Sequence, residues 1–195
     1  AGTMGRGIAQ VSALAGFATR LFDVDIQILE EGMNQIGQQL AEGVARDKIT
    51  EDDRNLALAH LSAVDDLGEA VQDIDLMIEA VPERMALKQQ IFVQVSAQAP
   101  EHAILASNTS SLSISEIAAS TSCPERVIGM HFFNPAHIVR LLEIVRGHQT
   151  CEQVVDTVRE IGSLMNRELV VVNDSPGFAS SRLGIALGME AIRMV

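Results

Sequence analysis

Basic residues are scarce in this chain. Against 26 Asp and Glu there are 14 Lys and Arg, giving the 195 residues a formal net charge of −12 at pH 7. Nonspecific binding to nucleic acid or to an anionic membrane needs clustered Lys and Arg to replace counterions at phosphates, and no such basic run exists. Cysteine is equally sparse. Cys123 and Cys151 lie far apart, with no Cys or His neighbour at metal-ligand spacing, which argues against a disulfide scaffold or a zinc module and suits a reducing, cytoplasmic setting. No stretch comes near the roughly 20 apolar residues needed to span a bilayer, and the N-terminus lacks a basic segment followed by an apolar one. Internal repeats, low-complexity segments and long linkers are missing as well. What remains is an ordinary globular composition, 47% hydrophobic and 21% charged, long enough for one main core or for one domain and part of a second.

The chain opens without an initiating Met, directly into glycines: Ala1-Gly2-Thr3-Met4-Gly5-Arg6-Gly7-Ile8-Ala9. The following residues, Gln10 to Ala15, carry an apolar pattern at helical spacing and end on Gly16, which suits the position just past a helix end. In the dinucleotide fingerprint G-x-G-x-x-G, one Gly makes a turn, one lets the backbone approach a pyrophosphate, and one lets the helix pack on its strand. Gly2 and Gly5 fit the second and third positions; the first Gly and its hydrophobic strand would lie before residue 1. Taken alone, the segment reads equally well as a glycine-rich helix start with no ligand. Ala18-Thr19-Arg20-Leu21-Phe22-Asp23 then reads as a short strand closed by an acid about 20 positions beyond the glycines, where the fingerprint puts the carboxylate that meets the adenosine ribose hydroxyls. Asp23 also reads as a turn residue or helix cap, since Asp25 follows it. Together with the glycines it points to the ribose, and its charge disfavours a 2′-phosphate, so NAD is preferred over NADP.

Ile28, Leu29, Met33, Ile36, Leu40 and Val44 form a stripe that predicts one long amphipathic helix from about Asp25 to Ala45. Thr50 opens another, with Asp52 and Asp53 near its positive end. Strands are expected at Ser62 to Val64, Asp75 to Val81, Ala103 to Ser107, Val127 to His131, Leu141 to Val145 and Leu169 to Val172. Helices are expected from about Arg84 to Gln98, after the capping box Ser113-Ile114-Ser115-Glu116, and from a second box, Thr150-Cys151-Glu152-Gln153, to about Met165. Strands alternating with helices, several apolar on both faces, imply an α/β fold: a Rossmann-type, doubly wound, mostly parallel sheet covered on both sides. Pro176 suits a first helical turn, and Phe178 to Val195 reads as one Leu-, Ile- and Met-rich helix with no strand after it. The expected division is residues 1–173, an NAD-binding Rossmann domain without its first strand, and residues 174–195, the first helix of an all-α C-terminal domain.

In an open parallel sheet, functional groups gather at the carboxyl ends of the strands. Those ends carry Asp23, Glu79 to Glu83, Ser107-Asn108-Thr109-Ser110 and His131-Phe132-Phe133-Asn134-Pro135. Of the five histidines, His131 alone stands at such an end, although a lone histidine there also reads as structural. Glu143, in the following strand, is a carboxylate able to orient the ring and to stabilise its protonated form.

Five ordered segments, Gly2 to Ala9, Glu79-Ala80-Val81-Pro82-Glu83, Ser107 to Ser111, His131 to Pro135 and Pro176-Gly177-Phe178, closely resemble the L-3-hydroxyacyl-CoA dehydrogenases, including the bacterial 3-hydroxybutyryl-CoA enzymes. The likeness covers essentially the whole chain in order and spacing. It implies NAD-dependent interconversion of (S)-3-hydroxyacyl-CoA and 3-oxoacyl-CoA, in fatty acid β-oxidation or butanoate metabolism, without a metal. It further implies His131 as general base with Glu143 as dyad partner, Ser110 as ligand of the substrate oxygen and Asn134 as a residue positioning the His131 site. Gly2, Thr3, Met4, Gly5, Asp23, Glu83, Lys88 and Asn108 would hold the cofactor, and Lys48 falls in the segment that contacts the CoA. The full-length protein would be a homodimer through its C-terminal domain.

One position departs from the family pattern. Where P-G-F-x-x-N-R is common, this chain reads Pro176-Gly177-Phe178-Ala179-Ser180-Ser181-Arg182, so Ser181 offers a shorter polar side chain for a substrate contact. That bears on rate and substrate range more than on reaction class. Two other readings stand beside the first: a related dehydrogenase of a free hydroxy acid or sugar acid, which would need an anion clamp in place of CoA contacts, and a noncatalytic dinucleotide-binding relative. By the motif positions, the sequence is expected to be a section of a longer chain that starts after the first fingerprint Gly and stops one helix into the second domain. Without its central strand, the chain as written is expected to be poorly stable and nearly inactive.

Overall fold

The computed structural model describes residues 1–194, in which helices and strands alternate almost throughout. Helix α1 (Thr3–Leu14) passes into strand β1 (Thr19–Phe22) through Gly16, whose φ of 88° ends a helix without a Cβ clash. Helix α2 (Ile26–Ala45) is capped by the Asp25 carboxylate, which accepts from the N–H groups of Gln27 and Ile28. Helix α3 (Glu51–Ala59) opens on a reciprocal box: Thr50 Oγ1 accepts from Asp53 N–H, and the Asp53 carboxylate accepts from Thr50 N–H. There follow β2 (Leu61–Val64), α4 (Leu67–Val71), β3 (Leu76–Glu79), α5 (Met85–Ser96), β4 (Ile104–Ser107), α6 (Ile114–Ala118), β5 (Val127–Phe132), β6 (Leu141–Arg146), α7 (Glu152–Leu164), β7 (Glu168–Asn173) and α8 (Ser180–Arg193).

Several local expectations need correction. Pro176, expected in a first helical turn, precedes α8, which starts at Ser180, and at Ser113 only half of the expected box forms, Ser113 Oγ accepting from Glu116 N–H. Helix α4 is absent from the sequence reading because five residues are too short to display a period, although Asp66 caps it through Glu69 N–H. The capping box expected at Thr150 does not form: α7 starts after Cys151, with no side-chain cap. The Thr150 hydroxyl is buried instead, donating to Val127 O at 2.6 Å and accepting from Gly147 N–H at 3.0 Å, so it ties the start of β5 to the turn beyond β6.

The strands form two sheets. In one, β1 and β2 pair in parallel; in the other the order is β3-β4-β5-β6-β7, parallel except between β5 and β6. Among the described residues, no ladder joins β1 to β3. β4 and β5 are buried along their whole length and are apolar on both faces, as a sheet covered on two sides requires. One face, with Ala106, Ile128 and Met130, packs with Ile8 and Val11 of α1 and Val154, Val155 and Val158 of α7. The other, with Leu105 and Val127, packs with Phe92 and Val95 of α5 and Ile114 and Ile117 of α6. Helix α8 differs from the rest: it has no buried residue, and Leu183, Ile185, Leu187, Met189 and Ile192 are exposed. Among the described residues, no helix is long and apolar enough to cross a membrane.

Gly129 on β5 faces Val145 on β6, and a Cβ there would sit 2.6 Å from the Val145 Cβ and 3.1 Å from Ile114. Both neighbours are buried and cannot yield. Gly129→Ala is therefore expected to lower the unfolding free energy by about 2 kcal/mol. Gly37→Ala, in α2 with nothing within 4 Å of the new Cβ, should raise it by roughly 0.5–1 kcal/mol through helix propensity. Urea unfolding midpoints check both directions.

Candidate active site

The carboxyl ends of the strands bring three groups of polar residues to one edge of the molecule. The first surrounds the start of α1. That helix begins at Gly2 with no side-chain cap and no acid in its first turn, so the N–H groups of Thr3, Met4 and Gly5 and the positive end of the helix dipole are available to an anion. A Cβ at Gly2 or Gly5 would meet nothing within 4 Å; the space over this helix end is open, as a pyrophosphate requires. The tight backbone approach lies at Gly7, where a Cβ would come 3.2 Å from that of Ala136. Asp23, just past β1, accepts from the Ala1 amino group and from Asp25 N–H at 3.1 Å. Burial works against its charge, while the N–H groups of Asp25 and Val24 favour it. A helix-end anion site followed by an ionised acid fits the pyrophosphate and ribose of a dinucleotide.

The second group links β3, β4 and α5. Glu79 and Ser107 are register partners at the ends of β3 and β4. Glu79 and Lys88 are both buried, their side chains each 1% exposed, and Lys88 Nζ donates to the two Glu79 oxygens at 2.8 and 3.0 Å. The same ammonium reaches Val81 O at 3.4 Å and pairs with Glu83 at 3.3 Å. Glu79 also accepts from Val81 N–H at 2.6 Å and from Ser107 Oγ at 2.7 Å, and Ser107 Oγ in turn accepts from Thr109 N–H at 3.2 Å. The Thr109 hydroxyl donates to Glu83 Oε1, which accepts from Ser110 N–H at 3.0 Å. This chain of charge-assisted bonds ends at Ser110, which is exposed. Burial raises the pKa of Glu83, but Thr109, the Lys88 charge and Ser110 N–H outweigh it and keep the carboxyl ionised. Asn108 Oδ1 accepts from Phe132 N–H at 2.9 Å, joining the end of β4 to the residue after His131.

The third group is built on the antiparallel pair. β5 and β6 set His131 opposite Glu143, and His131 Nδ1 lies 2.8 Å from Glu143 Oε2, with the two residues 5% and 1% exposed. The His131 ring packs against Phe133 and Phe178, at centroid distances of 4.4 and 6.0 Å. Burial disfavours the Glu143 charge, but the hydrogen bonds from Ser180 and His131 hold its pKa below the ordinary carboxylate value. An ionised carboxylate only accepts, so Nδ1 carries a proton, and in the neutral imidazole the lone pair then belongs to Nε2. The donors from Ser180 arrive through the turn Pro176-Gly177-Phe178, where Gly177 and Phe178 take φ of 73° and 49° and Phe178 is buried. One residue on, Ser181 Oγ donates to Ser110 O at 3.3 Å, linking the second and third groups.

Of the residues expected from sequence, the structure thus joins Glu83, Lys88 and Ser110, joins His131 and Glu143, and sets Asn108 beside them. Lys88 lies beneath the surface, engaged by Glu79, Glu83 and Val81. Asn134 is exposed in the turn after β5, and Lys48 is exposed in the turn between α2 and α3. Glu79, Ser107, Thr109 and Ser180 take roles in the site that their positions in the sequence do not assign individually. An acid ending the otherwise apolar strand Leu76-Met77-Ile78-Glu79, with a lysine nine residues later, was a usable signal for the buried pair. Nothing local marked Ser180.

Residues 1–175 match the family described as 3-hydroxyacyl-CoA dehydrogenase, NAD binding domain. The chain is 43% identical over 195 residues, all of its own length and 68% of the relative's, to the probable 3-hydroxybutyryl-CoA dehydrogenase of Bacillus subtilis. It is 38% identical over 192 residues, 98% of its length and 65% of the relative's, to the 3-hydroxybutyryl-CoA dehydrogenase of Bradyrhizobium diazoefficiens. The crystal structure of (S)-3-hydroxybutyryl-CoA dehydrogenase from Ralstonia eutropha superimposes with a TM-score of 0.92 at 35% identity, covering 95% of this chain and 65% of that one. The chain spans about two thirds of the length of these relatives.

Lys88→Met keeps the volume but leaves the buried Glu79 charge without its cation, an expected loss of about 3–5 kcal/mol in urea unfolding. Lys48→Met, at an exposed site, should stay within about 0.5 kcal/mol. Glu83 and Glu143 both have pKa values depressed in the folded state. The stability they add is complete above the unfolded-state carboxylate pKa and is lost as pH falls through their lower folded values. The thermal midpoint should therefore hold level down to about pH 5 and fall progressively below about pH 4, less steeply in Glu143→Gln.

Proposed function

Because this chain belongs to the 3-hydroxyacyl-CoA dehydrogenase family, we propose that it carries the cofactor site and the acid–base dyad for NAD-dependent interconversion of (S)-3-hydroxyacyl-CoA and 3-oxoacyl-CoA. The observation that carries this reading is the 2.8 Å bond between His131 and an ionised, buried Glu143 at the strand ends that also hold the open helix terminus. Residues 1–173 form the dinucleotide-binding unit, and α8 opens a helical unit whose exposed apolar side chains suit a homodimer contact. Two free cysteines suit a reducing, cytoplasmic compartment.

Oxidising a secondary alcohol removes a proton and a hydride together. NAD, when bound, supplies the hydride acceptor. His131 takes the hydroxyl proton on Nε2, and Glu143 stabilises the resulting imidazolium through Nδ1–H. Ser110 donates its hydroxyl to the substrate oxygen, and Asn134 flanks the same site. The N–H groups of Thr3, Met4 and Gly5, with the clearance left by Gly2 and Gly5, hold the pyrophosphate, while Asp23 accepts from the ribose hydroxyls and repels a 2′-phosphate. Glu83 and Lys88 act from beneath, fixing the turn that bears Ser110, and Asn108 fixes the backbone beside His131. Lys48 offers its cation to the CoA phosphates, and Ser181 lies beside Ser110 within reach of the acyl group.

The test is NADH absorbance with (S)-3-hydroxybutyryl-CoA as substrate, measured on the full-length protein that contains this chain. His131→Asn should lower kcat by roughly 10²-fold or more, the scale of general-base catalysis, while NADH still binds in a fluorescence titration. Unchanged turnover would remove His131 from the mechanism. Turnover of a free hydroxy acid with none of the thioester would transfer the site to a different substrate class.

A further inference from the structure

Glu143 accepts four hydrogen bonds, and three of them come from the first turn of α8. Its Oε1 takes the N–H groups of Ala179 at 3.1 Å and Ser180 at 2.9 Å. Its Oε2, the oxygen that meets His131 Nδ1 at 2.8 Å, also takes the Ser180 hydroxyl at 2.6 Å. The two amides would be supplied by almost any residues at these positions, whereas the hydroxyl belongs to this side chain. One carboxylate oxygen therefore divides its negative charge between two donors, and the strength of each bond depends on the other.

Nothing else nearby takes up that role. The groups that reach Glu143 from α8 are neutral donors, its register neighbour on β7 is Val170, and the aromatic rings of Phe133 and Phe178 pack against its partner. Among the described residues, His131 is the one titratable group hydrogen-bonded to it.

We propose that Ser180 is a positioning residue of the dyad: its hydroxyl fixes the rotation of the Glu143 carboxylate and moderates the charge that Oε2 presents to His131. Through it the first turn of α8 is coupled to the proton-accepting imidazole. Displacing that turn would leave Glu143 with His131 as its single donor. The inference rests on the reading of His131 as the base, but its spectroscopic test does not.

The test compares Ser180→Ala with Ser180→Thr, which keeps the hydroxyl. In proton NMR, the His131 Nδ1–H resonance, assigned by its loss in His131→Asn, should move downfield in Ser180→Ala, because Oε2 then serves one side-chain donor instead of two. Ser180→Thr should restore the original position. In turnover, Ser180→Ala should lower kcat by about fivefold with the KM for NAD unchanged, and the loss should vanish in a Glu143→Gln background. A resonance that stays in place in Ser180→Ala, or an equal kcat loss with Gln at 143, would overturn the proposal. If His131→Asn keeps full turnover while the resonance still moves, the base assignment fails and the Ser180 coupling stands.

Discussion

A carboxylate inside a sheet keeps its charge only where donors replace the water it has lost. Glu143 is 1% exposed and meets that requirement with four donors, one from β5 and three from the start of α8. Much of the surrounding architecture answers to this. β6 must run antiparallel to β5 so that position 143 faces position 131, and the chain must reverse after β7 through a turn with two positive φ values so that α8 arrives amide-first. Burying Phe178 anchors that turn. The residues that would do chemistry are thus held by backbone geometry that a single parallel sheet could not supply.

The same physical problem is solved differently on β3, at the edge of the same sheet. Glu79 is also buried, but its main partner is an ammonium, and that ammonium is in turn surrounded by Glu83 and Val81 O. The buried pair with Lys88 serves as a fixed support from which Ser107, Thr109 and Glu83 carry order outward to Ser110. Glu143 is paired instead with an imidazole, whose proton can move. Two buried acids of one sheet are therefore held in different ways, Glu79 by an ammonium and Glu143 by an imidazole and the first turn of α8.

Much of the fold was legible from local pattern. The stripe from Ile28 to Val44 predicted α2 to within a residue of its ends, and apolar runs marked β3 to β7, because helix period and strand burial are written in residues close in sequence. Gly16 and Asp25 announced a helix end and a helix start for the same reason. Failures occurred where a distant partner competed for a side chain. Thr150 satisfies the capping-box pattern on paper, yet Val127 O lies within its reach and a buried hydroxyl bonds there instead. α4 left too few residues for any period to register.

The candidate site divides along the same line. Residue types at the strand ends and the order of the five segments follow from the linear pattern, since each is a property of neighbours or of spacing. Which group answers which buried charge does not. Glu143 lies 12 residues from His131 and 37 from Ser180, and Ser107 lies 28 from Glu79, so these pairs exist only because sheet register and a reversed turn bring them together. A buried charge takes whatever donor the fold delivers, and that delivery is a property of three dimensions.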